Sequence, residues 1–327
     1  MPKPYNTMLY EFLKRGTFIL TSVLLLLFAG SCDSPAPGST EPPGEVVTGT
    51  IHGTLPHGGL QREYILYVPE SYTGEEAVPL LLNFHGYTSN AHGQMGYGDF
   101  RPLADRDGFI VAHPMGSLLE DNTHWNVGGW TLESTTDDVD FTDKLITAIG
   151  RQYSIDSERI YSTGMSNGGY MSLLLACQLS GRIAAVASVT GSMTPQTYEA
   201  CNPQHPTPVM QIHGTTDEVV PYEGDTWTRG IDAVLHYWVD QNRCTAQAVQ
   251  RDLSDVSTTD GSTVSHILYG DCDNSVVVEH YKVVGGGHTW PGSGAEYPDT
   301  NYDMDASSEI WRFFSEYDIN GRKKSGG

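Results

Sequence analysis

A serine flanked by glycines has the clearest chemical potential in this chain. Residues 164–168 read Gly-Met-Ser-Asn-Gly, the pattern G-x-S-x-G with Ser166 at its centre. The run Ile160 to Ser162 before it predicts a strand, and the mostly apolar run Tyr170 to Leu179 after it predicts a helix. In such a strand–turn–helix the serine sits on a strained turn with its hydroxyl exposed. This context favours a nucleophilic serine over a glycine-rich turn that only joins two elements.

A nucleophilic serine needs a base and an acid, and the chain offers both downstream. A hydroxyl attacks only when a base takes its proton, and imidazole is suited to that task near neutral pH. His288 follows three glycines and a predicted strand. Asp217 follows the predicted strand Pro208 to Ile212, with Glu218 beside it as a rival carboxylate. The chain order Ser166, Asp217, His288 predicts a catalytic triad.

The oxyanion that forms during acyl transfer needs hydrogen-bond donors. One is expected from the backbone N–H of Asn167, the residue after the nucleophile. The other is expected from the turn that begins His85-Gly86-Tyr87, directly after the apolar run Val78 to Phe84, and we assign it to the N–H of Tyr87. Each donor of this kind stabilises a transition state by about 3 kcal/mol.

Strands and helices alternate along the part of the chain that carries these residues. Apolar runs such as Val78 to Phe84 and Ile183 to Val189 are typical of strands buried on both faces. Helical spacing of apolar residues marks Asp137 to Gln152 and Thr228 to Gln241. The alternation predicts an α/β fold with a doubly wound, mostly parallel sheet in a single domain, residues 50–318. The carboxyl ends of such strands meet at one edge, where the triad residues would gather.

Three tryptophans are candidates for the wall of a binding site. Trp290 follows His288 by two residues, and Trp125 and Trp130 lie in the polar, glycine-containing loop Ser117 to Thr136. Aromatic side chains there would suit a flat or extended acyl group and would offer little to an acetyl group. The alternative is that these tryptophans pack the loops, since large aromatics are usually buried for their area.

Residues 1–32 are expected to be a signal peptide. A basic start precedes the apolar stretch Phe18 to Gly30, which is too short for a membrane-spanning helix. The segment ends in Ala29-Gly30-Ser31-Cys32, which is similar to a bacterial lipobox except for its alanine. Cys32 is therefore the predicted lipid attachment site of a cell-envelope protein, and the alternative is an ordinary secretory signal with an incidental cysteine. Residues 33–49 would then form a flexible tether and residues 319–327 a polar tail.

The four remaining cysteines suggest two disulfides in an oxidising compartment. They are Cys177, Cys201, Cys244 and Cys272, and they allow three connectivities that the sequence alone cannot separate. We favour the sequence neighbours, Cys177 with Cys201 and Cys244 with Cys272, because each bridge would then staple one excursion from the sheet. Free buried thiols are the alternative.

The composition limits the partners. With 18 basic and 40 acidic side chains the chain carries a net charge of −22, which repels nucleic acid and anionic lipid headgroups. We expect no nucleic-acid partner, membrane contact only through the lipid anchor, and a monomer. No cofactor is expected, because the sequence contains no phosphate-binding glycine loop and no dinucleotide fingerprint. No metal is expected either: Asp299 to Asp303 begins like a calcium loop but lacks the glycine at Met304 and the closing glutamate at Ile310.

Five motifs together resemble the polyhydroxybutyrate-depolymerase/feruloyl-esterase family of α/β-hydrolases. They are H-G-Y-T at 85–88, D-D-V-D-F at 137–141, R-I-Y-S-T-G-M-S-N-G-G at 159–169, H-G-T-T-D-E-V-V-P-Y at 213–222 and G-H-T-W-P-G at 287–292. The resemblance spans about residues 50–317. It implies an α/β-hydrolase fold and a secreted serine esterase with Ser166, Asp217 and His288 as its triad. Asp140 stands where the family usually has glycine, a departure expected to matter locally and not for catalysis.

The expected function is therefore ester hydrolysis outside the cytoplasm. The family includes enzymes for polyesters, for feruloyl and acetyl esters of plant polysaccharides and for small esters, so the expected partner is a polymeric or polymer-linked ester. Two other functions stay open from the sequence. One is a polymer-binding lipoprotein on a relic hydrolase fold, against which the complete triad argues, and the other is a serine peptidase.

Overall fold

Six parallel strands form the middle of a ten-stranded sheet in a computed structural model of the chain, which describes residues 46–295 and 297–324. In chain order the strands are β1 (Gly49–His57), β2 (Leu60–Val68), β3 (Val78–Phe84), β4 (Ile110–Pro114), β5 (Ser117–Leu119), β6 (Asn122–His124), β7 (Ile155–Met165), β8 (Ala185–Val189), β9 (Val209–Gly214), β10 (Val249–Asp252), β11 (Thr263–Tyr269), β12 (Val278–Val284), β13 (Tyr317–Asp318) and β14 (Gly321–Arg322). The helices are α1 (Ala91–Tyr97), α2 (Arg101–Asp107), α3 (Asp138–Gly150), α4 (Asn167–Gln178), α5 (Pro195–Ala200), α6 (Ile231–Gln241) and α7 (Ala306–Phe314).

The strand order of the large sheet is β1-β2-β4-β3-β7-β8-β9-β12-β11-β10. Neighbours from β4 through β12 pair in parallel, whereas β1, β2, β10 and β11 extend the two sides in antiparallel fashion. The predicted doubly wound, mostly parallel sheet is confirmed. Because β7, β9 and β12 run in the same direction, the residues that follow them meet at one edge.

The central strands are apolar because helices cover both faces of the sheet. Successive residues of a strand point to opposite faces. Leu80 and Leu82 of β3 accordingly pack into a core beneath α3, α4 and α6, and Leu81 packs into a second core beneath α2 and α7. β8 is buried at every position. This explains the continuous apolar runs from which the strands were predicted.

The edges of the domain depart from the expectations. β1 was not predicted, because it alternates half-buried with exposed positions and its half-buried face carries only two large apolar side chains, Ile51 and Leu55. At the other end, the segment expected as a polar tail begins inside the fold. Strands β13 and β14 pair around residues 319–320, Ile319 N–H donates to the Glu158 carbonyl, and Tyr317 is fully buried. The expected boundary at residue 318 is therefore wrong by several residues.

Two disulfides each link segments that lie outside the central strands of the sheet. Cys177, in the last turn of α4, is bonded to Cys201 just after α5. Cys244, just after α6, is bonded to Cys272 on the approach to β12. These are the two pairs that the sequence analysis favours.

The predicted signal peptide, its lipobox cysteine Cys32 and most of the expected tether lie outside the described residues. Within the described ranges, no helix combines the length and the apolar character needed to cross a membrane.

Candidate active site

The G-x-S-x-G turn joins β7 to α4 and holds Ser166 in a strained conformation. Ser166 has φ 53° and ψ −119°, a backbone conformation that residues other than glycine rarely adopt. The flanking glycines allow this close turn: a Cβ on Gly164 would lie 2.5 Å from the carbonyl oxygen of Phe84, and one on Gly168 would collide with the same oxygen. The turn thereby sits directly against the end of β3, with the Ser166 side chain half-buried at the sheet edge.

Asp217 and His288 come together at the same edge. Asp217 follows β9 and His288 follows β12, and the His288 Nδ1–H donates to Asp217 Oδ2 at 2.7 Å. The other carboxylate oxygen, Oδ1, accepts from the N–H groups of Val219 and Val220 at 2.9 and 2.8 Å. Asp217 is buried, whereas the rival Glu218 is exposed. With its Nδ1–H held by Asp217, His288 keeps Nε2 free to accept a proton.

A second histidine also contacts the Asp217 carboxylate. His213, on β9, has Nε2 3.4 Å from Asp217 Oδ2 and 2.9 Å from the carbonyl oxygen of Val220. Burial lowers the pKa of His213, so it contributes a neutral N–H beside the carboxylate. His213 is the histidine of the H-G-T-T-D segment, and its contact with Asp217 was not predicted from the sequence.

The loop after β3 lies beside the nucleophile. A Cβ on Gly86 would be 3.5 Å from the Cβ of Ser166, so the Gly86 backbone lies next to Ser166. Tyr87 follows Gly86, and Asn167 is the first residue of α4, where the backbone N–H has no acceptor within the helix. Asn167 thus adjoins Ser166 in the chain, and the residue before Tyr87 lies next to it; the assignment of their N–H groups to an oxyanion stays a prediction.

His85 fixes the path of this loop. The N–H of Gly116 donates to His85 Nε2 at 2.9 Å, so the proton is on Nδ1, which donates to the Gly86 carbonyl at 2.7 Å. Burial lowers the pKa of His85 from 6.5 to about 4. The unfolded chain binds a second proton on the His85 ring more readily than the folded protein does. The contribution of neutral His85 to the free energy of unfolding is therefore complete above pH 6.5 and is lost as the pH falls toward 4.

Trp125 is a buried residue that holds Asn167 and His85 in place, and it does not form a binding surface. Its side chain is completely buried, and its indole N–H donates to the His85 carbonyl at 2.9 Å. Its backbone N–H donates to Asn167 Oδ1 at 2.7 Å, and Asn167 Nδ2 donates back to the Trp125 carbonyl at 3.1 Å. The prediction that Trp125 lines a substrate site is wrong, because these contacts place the ring between β3 and the start of α4.

Trp290 is also buried, with only 1% of its surface exposed. Its ring packs on Phe100 and against Gly98, and its indole N–H donates to Ser307 Oγ at 3.2 Å. The predicted wall at Trp290 is therefore wrong as well, and the loop-packing alternative applies. Trp130 differs: it is half-buried, in edge-to-face contact with Tyr170 and Trp227.

A buried ion pair that the sequence analysis missed holds the Trp125 segment. Arg62 Nη2 lies 2.8 Å from Asp138 Oδ1, and both side chains are almost fully buried. The second oxygen of Asp138 accepts from the N–H of Asn126 at 2.8 Å, and the Arg62 guanidinium lies over the Phe141 ring. Asp138 belongs to the D-D-V-D-F segment. Arg62 gives no sequence signal, since it is a lone arginine on a strand.

Asp140, the departure from the family pattern, lies at the surface of α3. Its carboxylate contacts His57 Nε2 at 2.9 Å and Lys144 Nζ at 3.3 Å. Among the described residues its ion-pair contacts include none of Ser166, Asp217 and His288.

A cleft of about 600 Å³ opens beside His288, and we call it the His288 cleft. Aromatic, apolar and acidic side chains line it together. They include Tyr97, Tyr297, Met165, Val219, Glu218 and Asp299.

No group of three or more His, Cys, Asp or Glu side chains within the described ranges could hold a metal ion. In the segment that begins like a calcium loop, Asp303 Oδ1 accepts from the N–H groups of Val256 and Ser257.

Comparison with known proteins places the chain in a family. A sequence model of the family described as Esterase PHB depolymerase matches residues 62–225, about half of the chain. A bifunctional acetylxylan esterase/xylanase of Neocallimastix patriciarum is 27% identical over 85% of this chain and 36% of its own length. Feruloyl esterase B of Piromyces equi is 31% identical over 69% of this chain and 42% of its own length. The chain thus spans less than half of these two relatives, whereas feruloyl esterase D of Neurospora crassa, 26% identical, is covered over 97% of its length.

Solved structures share the fold. An acetyl xylan esterase from Aspergillus awamori superposes with a TM-score of 0.58 at 14% identity, over 81% of this chain and 99% of that one. A thermostable esterase gives a TM-score of 0.56 at 15% identity, over 82% of this chain and 63% of the other. The fold is that of α/β-hydrolases, and on the match of the family model the chain belongs to the Esterase PHB depolymerase family.

Proposed function

We propose that this protein is an extracytoplasmic carboxylic-ester hydrolase that acts through an acyl-enzyme on Ser166. The observation that carries the proposal is the 2.7 Å contact between His288 and buried Asp217 at the sheet edge where Ser166 sits on its strained turn. Membership in an esterase family and relatives named as feruloyl and acetylxylan esterases support it.

In the first half of the reaction, Ser166 Oγ attacks the ester carbonyl and His288 Nε2 takes the hydroxyl proton. Asp217 holds the imidazole in the required tautomer and stabilises the imidazolium that forms. The carbonyl oxygen becomes an oxyanion and accepts from the N–H groups of Asn167 and Tyr87, each worth about 3 kcal/mol in the transition state.

The oxyanion then collapses and the bond to the alcohol oxygen breaks. His288 Nε2–H gives its proton to this leaving oxygen, so the alcohol part of the substrate must lie beside His288. In the second half, water attacks the acyl-enzyme with His288 again as base, and the acid is released from Ser166.

We propose a polymer-linked ester as the substrate, either a feruloyl-type ester of a polysaccharide or a polyester such as polyhydroxybutyrate. The relatives' names support this range. Purified protein should hydrolyse p-nitrophenyl acetate and should release product from feruloylated xylan or from polyhydroxybutyrate, with acetyl-xylan as the comparison. If folded protein hydrolyses none of these esters, the proposed ester hydrolysis is wrong.

The proposed location is the bacterial cell envelope, through a lipid on Cys32. The motivation is the small-residue segment before Cys32 and the Pro- and Gly-rich residues after it. Cys32→Ser should move the protein from the detergent-extracted membrane fraction to the soluble fraction with its esterase activity intact. An unchanged distribution, or an unmodified mature N-terminus by mass spectrometry, would instead indicate a secreted enzyme without an anchor.

A further inference from the structure

The His288 cleft lies where the leaving group of the proposed reaction must be. His288 has to protonate the alcohol oxygen, and the side chain that does so also lines the cleft. At about 600 Å³ the cleft is large enough for a group the size of a sugar ring. Its lining therefore selects among alcohols, if Ser166 and His288 act as proposed.

Two tyrosines give the cleft an aromatic side. The rings of Tyr97 and Tyr297 meet edge to face with their centroids 5.3 Å apart. The Tyr97 hydroxyl accepts from the N–H of Trp290, which anchors that ring, whereas Tyr297 is 55% exposed. The exposed ring of Tyr297, beside the half-buried ring of Tyr97, offers a flat surface to the C–H face of a sugar, whose hydroxyls remain free to reach polar groups.

Apart from His288, the only ionisable side chains of the described residues at the cleft, besides the two tyrosines, are two carboxylates. Glu218 and Asp299 are both exposed on its lining, and neither forms an ion pair with another described residue. Of the described residues that line the cleft, none is lysine or arginine. Carboxylates accept strong hydrogen bonds from hydroxyl groups, but they repel another carboxylate at short range.

We propose that the His288 cleft is the alcohol subsite and that it selects an uncharged, hydroxyl-rich leaving group, a neutral sugar, over one that carries a carboxylate. Tyr297 provides the packing surface, and Glu218 with Asp299 provides the charge discrimination. This proposal rests on the proposed function and adds to it the class of alcohol that the enzyme releases.

The charge discrimination is tested with acetyl esters of methyl glucoside and of methyl glucuronide, which differ by a carboxylate in place of a hydroxymethyl group. We expect the wild type to favour the neutral ester in kcat/KM by about tenfold at low salt, the size expected for two exposed like-charge contacts, and less at high salt. The double change Glu218→Gln with Asp299→Asn should reduce the preference to about twofold.

Glu76→Gln is the matched control. Glu76 is exposed and precedes β3, at the opposite edge of the sheet, so this change removes a charge without touching the cleft. It should keep the wild-type preference. The proposal would be overturned if the wild type had equal kcat/KM values for the two esters. It would also be overturned if Glu76→Gln reduced the preference as much as the double variant does.

The role of Tyr297 as a packing surface is tested by the KM of its variants. Tyr297→Ala should raise KM for the neutral sugar ester by about three- to tenfold, as expected for one lost aromatic contact, and Tyr297→Phe should restore it. Methyl acetate, whose leaving group is too small to reach Tyr297, should show no such rise. Equal losses on both esters would overturn the assignment of Tyr297.

The proposed chemistry is tested separately by the hydrolysis of p-nitrophenyl acetate, which should disappear in Ser166→Ala. A failed subsite and a failed function are therefore distinguishable.

Discussion

Ser166→Ala should remove nearly all hydrolysis of p-nitrophenyl acetate, and removing His288 in the same chain should cost little more. In the proposed mechanism the serine and its base act in the same step, so either loss disables that step by about four to six orders of magnitude in kcat. The measurement is kcat for Ser166→Ala, His288→Ala and the double variant, with melting curves to show that each is folded. Ser254→Ala, an exposed loop serine, is the matched control and should behave as the wild type.

Loss of the carboxylate in the proposed triad should also lower kcat strongly. Asp217→Asn should lower kcat by about four orders of magnitude, because an amide favours the wrong imidazole tautomer. Asp217 is the carboxylate that contacts His288 Nδ1. If Asp217→Asn retained most of the activity while Glu218→Gln lost it, the acid role would pass to Glu218. Independent, additive losses for Ser166 and His288 would contradict the proposed triad as a whole.

Breaking the Arg62–Asp138 pair should have the largest effect on stability. Removing one member of a buried ion pair leaves an uncompensated charge and costs about 3–5 kcal/mol. Asp138→Asn and Arg62→Met should therefore each lower the urea midpoint strongly, whereas the double variant should be less destabilised than the two losses combined, since no buried charge is left. The pair Arg243–Asp273 is the matched control. It is largely exposed, so Arg243→Met should cost less than about 1 kcal/mol.

Asp138→Asn should also lower catalytic activity. Asp138 holds Asn126, and the neighbouring Trp125 holds both Asn167 and His85. Asn167 is itself a proposed oxyanion donor, and His85 lies two residues before the other proposed donor, Tyr87. We therefore expect Asp138→Asn to lower kcat more than it raises KM for p-nitrophenyl acetate. A midpoint shift no larger than that of Asp273→Asn would show that Asp138 does not support the fold.

The three proposed catalytic residues could be predicted because each follows a recognisable strand. A parallel sheet brings the ends of β7, β9 and β12 to one edge, so position along the chain was enough to propose Ser166, Asp217 and His288 as neighbours. Their exact contacts, including the approach of His213 to Asp217, depend on loop geometry that no periodicity encodes.

The tryptophans and the ion pair show what the sequence could not provide. Whether Trp125 and Trp290 face solvent or core depends on residues far away in the chain, such as Asn167 and Ser307. Arg62 and Asp138 are 76 positions apart, and nothing in either local segment marks the other as its partner. The aromatic side of the cleft is instead formed by two tyrosines that no motif singled out.

Covalent labelling with a fluorophosphonate probe tests the central claim most directly. Such a probe reacts with a serine hydroxyl only when a neighbouring base activates it. Peptide mapping of the labelled wild type should find the adduct on Ser166. Ser166→Ala should give none, and His288→Ala should react far more slowly. A wild-type protein that hydrolyses esters but carries the adduct on another residue, or an adduct that forms equally fast without His288, would contradict the proposed Ser166–His288–Asp217 mechanism.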